Sequence, residues 1–211
     1  MRIVTYNILE GGAARDDSPE RLGAIGSLLR ELKPDVLALV EAKGWTERGS
    51  RPLYAMEEAL GMRGFLAASE TGFHTALFIR HPLRPMRVED DERHFYHGML
   101  RVKFGTDERQ AWTAGVVHLN PFSPDARRIE TAHLVARVRC RPRTLILGDF
   151  NSPSDHDVER GLVNEATLDK LPSRYRLRYG WWKADGSALA KLERAGFEDH
   201  FRRLHEDAAA H

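Results

Sequence analysis

Apolar positions along the chain switch between two periods. Arg2 to Asn7 is a β-branched and aromatic run that breaks at Gly11-Gly12, the pattern of a buried strand entering a loop. From Ser18 the spacing becomes helical: Ser18 can cap, Pro19 suits the first helical position, and Leu22, Ile25, Leu28, Leu29 and Leu32 recur until Lys33-Pro34 ends the pattern. Asp35 to Val40 is apolar on both faces, as expected of a strand covered on each side, and it ends at Glu41. Further along, the pattern predicts a helix over Pro52 to Leu60 closed by Gly61, and a strand over Thr75 to Ile79 stopped by Pro82 and Pro85. Met99 to Phe104 and Ala111 to Val117 read as a hairpin-type pair of strands. Ser123-Pro124-Asp125 opens a helix that carries Ile129, Ala132, Val135 and Ala136 on one stripe. Thr144 to Leu147 is a buried strand, Ser187 to Ala195 a helix closed by Gly196, and a short polar helix follows Phe197. Strands alternating with helices over short links point to a layered α/β domain.

Composition narrows the class. The 211 residues suit one globular domain, and with 42% hydrophobic and 30% charged residues the chain lies far from disordered, collagen-like or membrane sequences. Lys and Arg (32) nearly balance Asp and Glu (31), so no global field draws the protein to nucleic acid or acidic lipid, and any polyanion site must be local. A single cysteine, Cys140, excludes an intramolecular disulfide and a thiolate zinc cluster. No secretory leader or apolar run of membrane-spanning length is present, so the expectation is a cytoplasmic protein with no membrane partner and an oligomeric state the sequence does not specify.

Chemistry gathers at strand ends. Asn7, Glu41, His118 and Asp149 each follow an apolar strand. One such ending is ordinarily the solvated tip of a strand, but four together suggest a site at one rim, where loops leave a sheet. In Asp149-Phe150-Asn151, alternation along an extended segment would set a carboxylate and an amide on one side, about 6–7 Å apart. That pairing suits phosphate chemistry, because the carboxylate can orient or deprotonate water while the neutral amide donates to a phosphoryl oxygen. Glu41 is a hard oxygen ligand of the kind Mg²⁺ prefers.

Tyr6-Asn7-Ile8, Val40-Glu41, Val117-His118-Leu119 and Gly148-Asp149-Phe150-Asn151, in this order, resemble the endonuclease/exonuclease/phosphatase superfamily. The segment Gly196-Phe197-Glu198-Asp199-His200-Phe201-Arg202-Arg203-Leu204-His205 looks like one common in its exonuclease III-like branch. The resemblance implies an α/β (α+β) fold, the DNase I-like four-layer sandwich, with two mixed sheets face to face and helices outside, as a single domain over residues 1–211. It implies divalent-metal-dependent hydrolysis of phosphate esters, as phosphodiesterase, nuclease or phosphatase. Asn7 and Glu41 would hold Mg²⁺ or Mn²⁺, Asp149 would align the attacking water, Asn151 would touch the phosphate, and His118 would contact the phosphate or share acid/base work. The substrate would be a phosphate ester such as a nucleic acid or nucleotide; an inositol phosphate or lipid headgroup would suit the same set. Family members continue to a strand carrying Ser-Asp-His, which is not found before His211, so the expectation is a chain truncated at its C-terminus. An alternative is a catalytically incomplete member that binds a phosphorylated ligand or a partner.

Other clusters are weaker. Ser154-Asp155-His156 and Glu198-Asp199-His200 imitate the final motif without its apolar strand, and read as a loop or helix start and as structural sequence. His94 and His97, beside Asp90, Asp91 and Glu92, read as a solvated loop, since their spacing lacks a third ligand for zinc. His74 reads as a structural histidine. Arg174 to Lys183 alternates arginines with aromatics and is the best candidate for nucleic-acid contact, against the plainer reading of a surface strand with an aromatic inner face.

Overall fold

The computed structural model describes residues 1–13, 20–170, 176 and 184–204. These form two compact units. One comprises Met1–His118 with Arg143–Asp149, and the other the described residues of Leu119–Pro142 and Phe150–His211.

The first unit is built on two mixed four-stranded sheets. Strands β1 (Ile3–Asn7), β2 (Val36–Val40), β3 (Arg63–Ala67) and β4 (Thr75–Ile79) are arranged in the order β1-β2-β4-β3. Strands β5 (Arg84–Asp91), β6 (Met99–Gly105), β7 (Trp112–His118) and β8 (Thr144–Asp149) follow the order β5-β6-β7-β8. Each sheet contains one parallel pair, β1 with β2 and β7 with β8, and is otherwise antiparallel. Helices α1 (Glu20–Leu32) and α2 (Arg51–Leu60) belong to the same unit.

The continuous apolar run of β2 is explained by its alternating sides. Val36, Ala38 and Val40 pack with Leu77, Ile79, Leu100, Val102, Phe104, Ala114 and Val116 between the two sheets. Leu37 and Leu39 point the other way, to Phe78 and to Ile25, Leu29, Leu53, Met56 and Leu60 of α1 and α2. All five β2 residues are fully buried, and each such side chain of Val or Leu size contributes about 1.5–3 kcal/mol relative to exposure. The helix α2 ends at Gly61 in the left-handed conformation, as its sequence predicts. Ser18 and Pro19, the expected start of α1, lie outside the described residues.

Two strands escape the sequence pattern. β3 opens with an exposed Arg63 and a buried Gly64, too little apolar alternation to stand out. β5 contains Pro85, read above as a stop, together with the acidic residues read as a loop. It is an edge strand in which Pro85 sits at a register shift, where a missing N–H does not interrupt the ladder.

The second unit contains α3 (Pro124–Val138), α4 (Asp155–Glu159), α5 (Glu165–Asp169), α6 (Ser187–Arg194) and α7 (His200–Leu204). Helix α3 begins as predicted, with Ser123 Oγ accepting from the Ala126 amide, but its buried face is not the expected one. Ile129 is 61% exposed and Ala132 and Ala136 are exposed, while Arg127, Glu130, Thr131, Leu134 and Val138 are buried. Hydrogen bonds reverse the apolar logic: Arg127 donates to the Asn120 carbonyl at 2.9 Å, and Glu130 Oε2 accepts from the Asn120 amide at 2.7 Å. Both side chains thereby anchor the segment that follows His118. Ser154 caps α4 in a capping box with Asp157, which makes Ser154-Asp155-His156 a helix start.

Two stability outcomes follow. Ile129→Lys should change the unfolding free energy by no more than about 0.5 kcal/mol, whereas Leu134→Ala should cost about 2–5 kcal/mol in denaturant titrations. At Gly148, φ is +128° and a Cβ would lie 1.8 Å from the Val117 carbonyl oxygen, so Gly148→Ala should destabilise by about 2 kcal/mol or more in the same assay.

Candidate functional site

Parallel neighbours finish at the same end of a sheet, and here that geometry delivers chemistry. In β1 and β2 the register pairs Asn7 with Val40, the residue before Glu41, and in β7 and β8 it pairs His118 with Asp149. The side chains from the two sheets meet through Asn7. Its Nδ2 donates to Glu41 Oε1 at 2.9 Å and to Asp149 Oδ2 at 3.2 Å. The orientation of the amide is fixed from behind, because Asn7 Oδ1 accepts from the Leu9 amide at 2.9 Å. His118 Nε2 stands 3.9 Å from Asp149 Oδ2, and the histidine is 4% exposed, against half-buried Asn7, Glu41 and Asp149. Four of the five expected residues therefore gather in the first unit.

The loop around Glu41 holds its carboxylate still. Glu41 adopts φ +62°, an uncommon value for a residue with a Cβ. Its carbonyl accepts from the Gly11 amide at 2.7 Å, and its Oε2 accepts from the Glu10 amide at 3.1 Å. A Cβ on Gly11 would lie 2.2 Å from the Lys43 carbonyl oxygen, so glycine is required for the two segments to approach. Trp45, 1% exposed, donates its indole N–H to the Gly11 carbonyl at 3.0 Å and fixes the pair from below. The sequence marks Gly11-Gly12 as a loop; its task is to approach the backbone beyond Glu41.

Asn151, the fifth expected residue, belongs to the second unit. It has φ +50°, so the extended alternation expected of Asp149-Phe150-Asn151 does not continue through it. It is 9% exposed, and its Nδ2 donates to the Leu119 carbonyl at 2.8 Å. His156 lies in the first turn of α4, and His200 opens α7. Arg174 to Lys183 lies outside the described residues apart from Arg176, which donates to the Asp169 carbonyl at 2.8 Å.

The histidine pair outside the expected set divides. His94 remains exposed and is held by the Asp91 carboxylate at 2.9 Å. His97 is no solvated loop residue: it is 4% exposed and its ring stacks on His118, centroids 4.4 Å apart and planes 23° apart. Burial, and secondarily the neighbouring His118, push its pKa down to about 3, with Asp149 opposing. The sequence signal for it was its place just before the apolar strand β6, obscured by the charged residues preceding it. His74 is buried within a hydrogen-bonded pair of contacts. Its Nδ1 accepts from the Ser69 amide, so Nε2 carries the hydrogen and donates to Thr46 Oγ1, both at 3.0 Å, and burial lowers its pKa.

The endonuclease/exonuclease/phosphatase family model matches residues 4–195. The chain belongs to this family. Its members are phosphoester hydrolases. Among solved structures, an AP endonuclease from Archaeoglobus fulgidus is 20% identical with a TM-score of 0.65, the match covering 99% of this chain and 76% of that one. The human Nocturnin catalytic domain with bound sulfate is 17% identical with a TM-score of 0.60, covering 84% and 72%. ANGEL2, a 2′,3′-cyclic phosphatase solved with adenosine-2′,3′-vanadate, is 17% identical with a TM-score of 0.57, covering 75% of this chain and 56% of its own. These endonuclease/exonuclease/phosphatase relatives establish a DNase I-like α/β fold with two mixed sheets. Against several solved structures the chain spans less than two thirds of their length, 56% for ANGEL2 and 62% for an endonuclease/exonuclease/phosphatase family protein from Bacteroides thetaiotaomicron. No curated protein sequence matches the chain. Among the described residues, no helix is long and apolar enough to cross a membrane.

The lowered pKa of His97 sets a pH dependence. Between pH 6.5 and about 3 the unfolded chain takes up a proton at this residue that the fold refuses. The associated stability is present above pH 6.5 and drains away as pH falls through that window. Urea midpoints measured from about pH 7 to about pH 4 should therefore fall more steeply in the native chain than in His97→Phe.

Proposed function

We propose that this chain hydrolyses phosphate esters at the strand ends carrying Asn7, Glu41, His118 and Asp149, with a nucleic acid or nucleotide as substrate. The observation that supports this reading most is the Asn7 amide nitrogen donating to two carboxylates brought from different sheets. A neutral amide satisfies hydrogen bonds without cancelling charge, so the cluster remains suited to a dication.

The donor set fits Mg²⁺ or Mn²⁺. Carboxylate and amide oxygens are hard ligands of the kind these ions take, and Mg²⁺ ordinarily keeps several waters beside one or two carboxylates. Glu41 would hold it, with Asn7 joining through Oδ1 once its amide turns over from the orientation described above, and when bound it would stabilise charge developing on the phosphoryl and leaving oxygens.

The protein groups account for the rest. Asp149 Oδ2 orients a water for in-line attack and receives its proton as the new O–P bond forms and the bond to the leaving oxygen breaks. His118 Nε2, 3.9 Å from Asp149 Oδ2, is placed to share that proton, and the leaving oxygen takes its proton from solvent.

The test is hydrolysis of bis-p-nitrophenyl phosphate and of short oligonucleotides with added Mg²⁺. EDTA should abolish turnover and Mg²⁺ restore it. Asp149→Asn and Glu41→Gln should each lower kcat/KM by about 100-fold or more with the fold intact. Undiminished hydrolysis in both variants would overturn the assignment.

A further inference from the structure

His97 has no part in the chemistry just described, yet it lies directly against it. We propose that His97 is a positioning residue for His118, and that Thr71 and Ser69 hold it in one tautomer so that its ring forms a fixed face under the His118 imidazole. The proposal rests on the reading of His118 as an acid/base group and goes beyond it.

The directions of the hydrogen bonds carry the argument. Ser69 Oγ donates to the Tyr96 carbonyl at 3.3 Å, and a carbonyl can only accept. The Ser69 hydrogen being committed there, Thr71 Oγ1 supplies the hydrogen of the 2.7 Å Ser69–Thr71 contact. Thr71 Oγ1 in turn accepts from His97 Nδ1 at 2.7 Å. Nδ1 therefore carries the proton. The ring is clamped on its sides as well, with Phe73 and Tyr96 meeting it edge-on at centroid distances of 5.4 and 4.7 Å. A ring held by one directed hydrogen bond and two aromatic edges has little freedom to tilt. His118, stacked on it at 4.4 Å, inherits that plane.

The consequence is functional because His118 faces Asp149. Swinging the imidazole out of the stack would change the separation of His118 Nε2 from Asp149 Oδ2, and proton sharing depends steeply on such placement. Burial keeps His97 neutral near pH 7, so a proton arriving on His118 meets no like charge beneath it.

The experiment compares the full chain with His97→Ala, His97→Leu, His97→Phe and Thr71→Val, measuring kcat and KM on bis-p-nitrophenyl phosphate and the melting temperature of each. His97→Ala and His97→Leu should lower kcat about tenfold with KM nearly unchanged, and His97→Phe, which keeps a flat ring, should recover most of the loss. Thr71→Val should give a smaller drop in kcat. Equal activity in His97→Leu and His97→Phe, or a change in KM alone, would overturn the proposal. His97→Leu and His97→Phe carry the comparison if the alanine variant fails to fold. The proton NMR signal of His118 Hε1 supplies a readout independent of turnover. It should shift downfield in His97→Leu, where the ring current is lost, and remain near its native position in His97→Phe; no shift in His97→Leu would also overturn the proposal. Retained activity in His118→Ala would instead refute the role assigned to His118, a result distinguishable by the NMR arm.

Discussion

One amide nitrogen joins the two sheets at the end that carries the candidate site. Asn7 Nδ2 donates to Glu41 from its own sheet and to Asp149 from the other, and each partner reaches that point because its strand runs parallel to a neighbour. An antiparallel pair would send its two C-terminal ends in opposite directions. The single parallel pairing in each otherwise antiparallel sheet is thus the constraint on which the site depends. The deep burial of β2 on both faces then fixes the height at which Glu41 emerges.

Around this junction the backbone departs from relaxed geometry in a few places, each tied to a contact. Glu41 takes a left-handed φ while its carbonyl and carboxylate are both engaged by the turn at Glu10 and Gly11. Gly148 lies so close to the Val117 carbonyl that no side chain fits, one residue before Asp149. The cost of these conformations is covered by packing below them, as with the buried Trp45 under Gly11. Rigid support beneath polar ends lets a carboxylate and an imidazole keep their separation.

Legibility in the sequence followed from how much of each feature is local. Asn7, Glu41, His118 and Asp149 could be read because each closes an apolar run whose strand character is visible within a few residues. That the four share one rim was suggested by their number, but the contact that joins the two sheets, Asn7 to Asp149, spans 142 positions and could not be read. His97 was misread because charged neighbours suggested solvent, whereas Thr71 and His118, both remote in sequence, bury it. The face of α3 was misread for a related reason: hydrophobic spacing presumes that burial selects apolar atoms, and Arg127 and Glu130 are buried through hydrogen bonds to one backbone residue. β5 was hidden by Pro85 and by its acids, features that oppose an interior strand but not a marginal one.

That marginal strand also carries features that bear on strand pairing between copies. Among the described residues β5 is the last strand of its sheet, and it presents Arg84, Arg87 and Asp90 at exposed positions, with a proline and a register shift near its start. An approaching extended chain would find a missing donor, an interrupted repeat and charges to desolvate. The irregularities that concealed β5 from sequence reading thus also guard it against edge-to-edge aggregation.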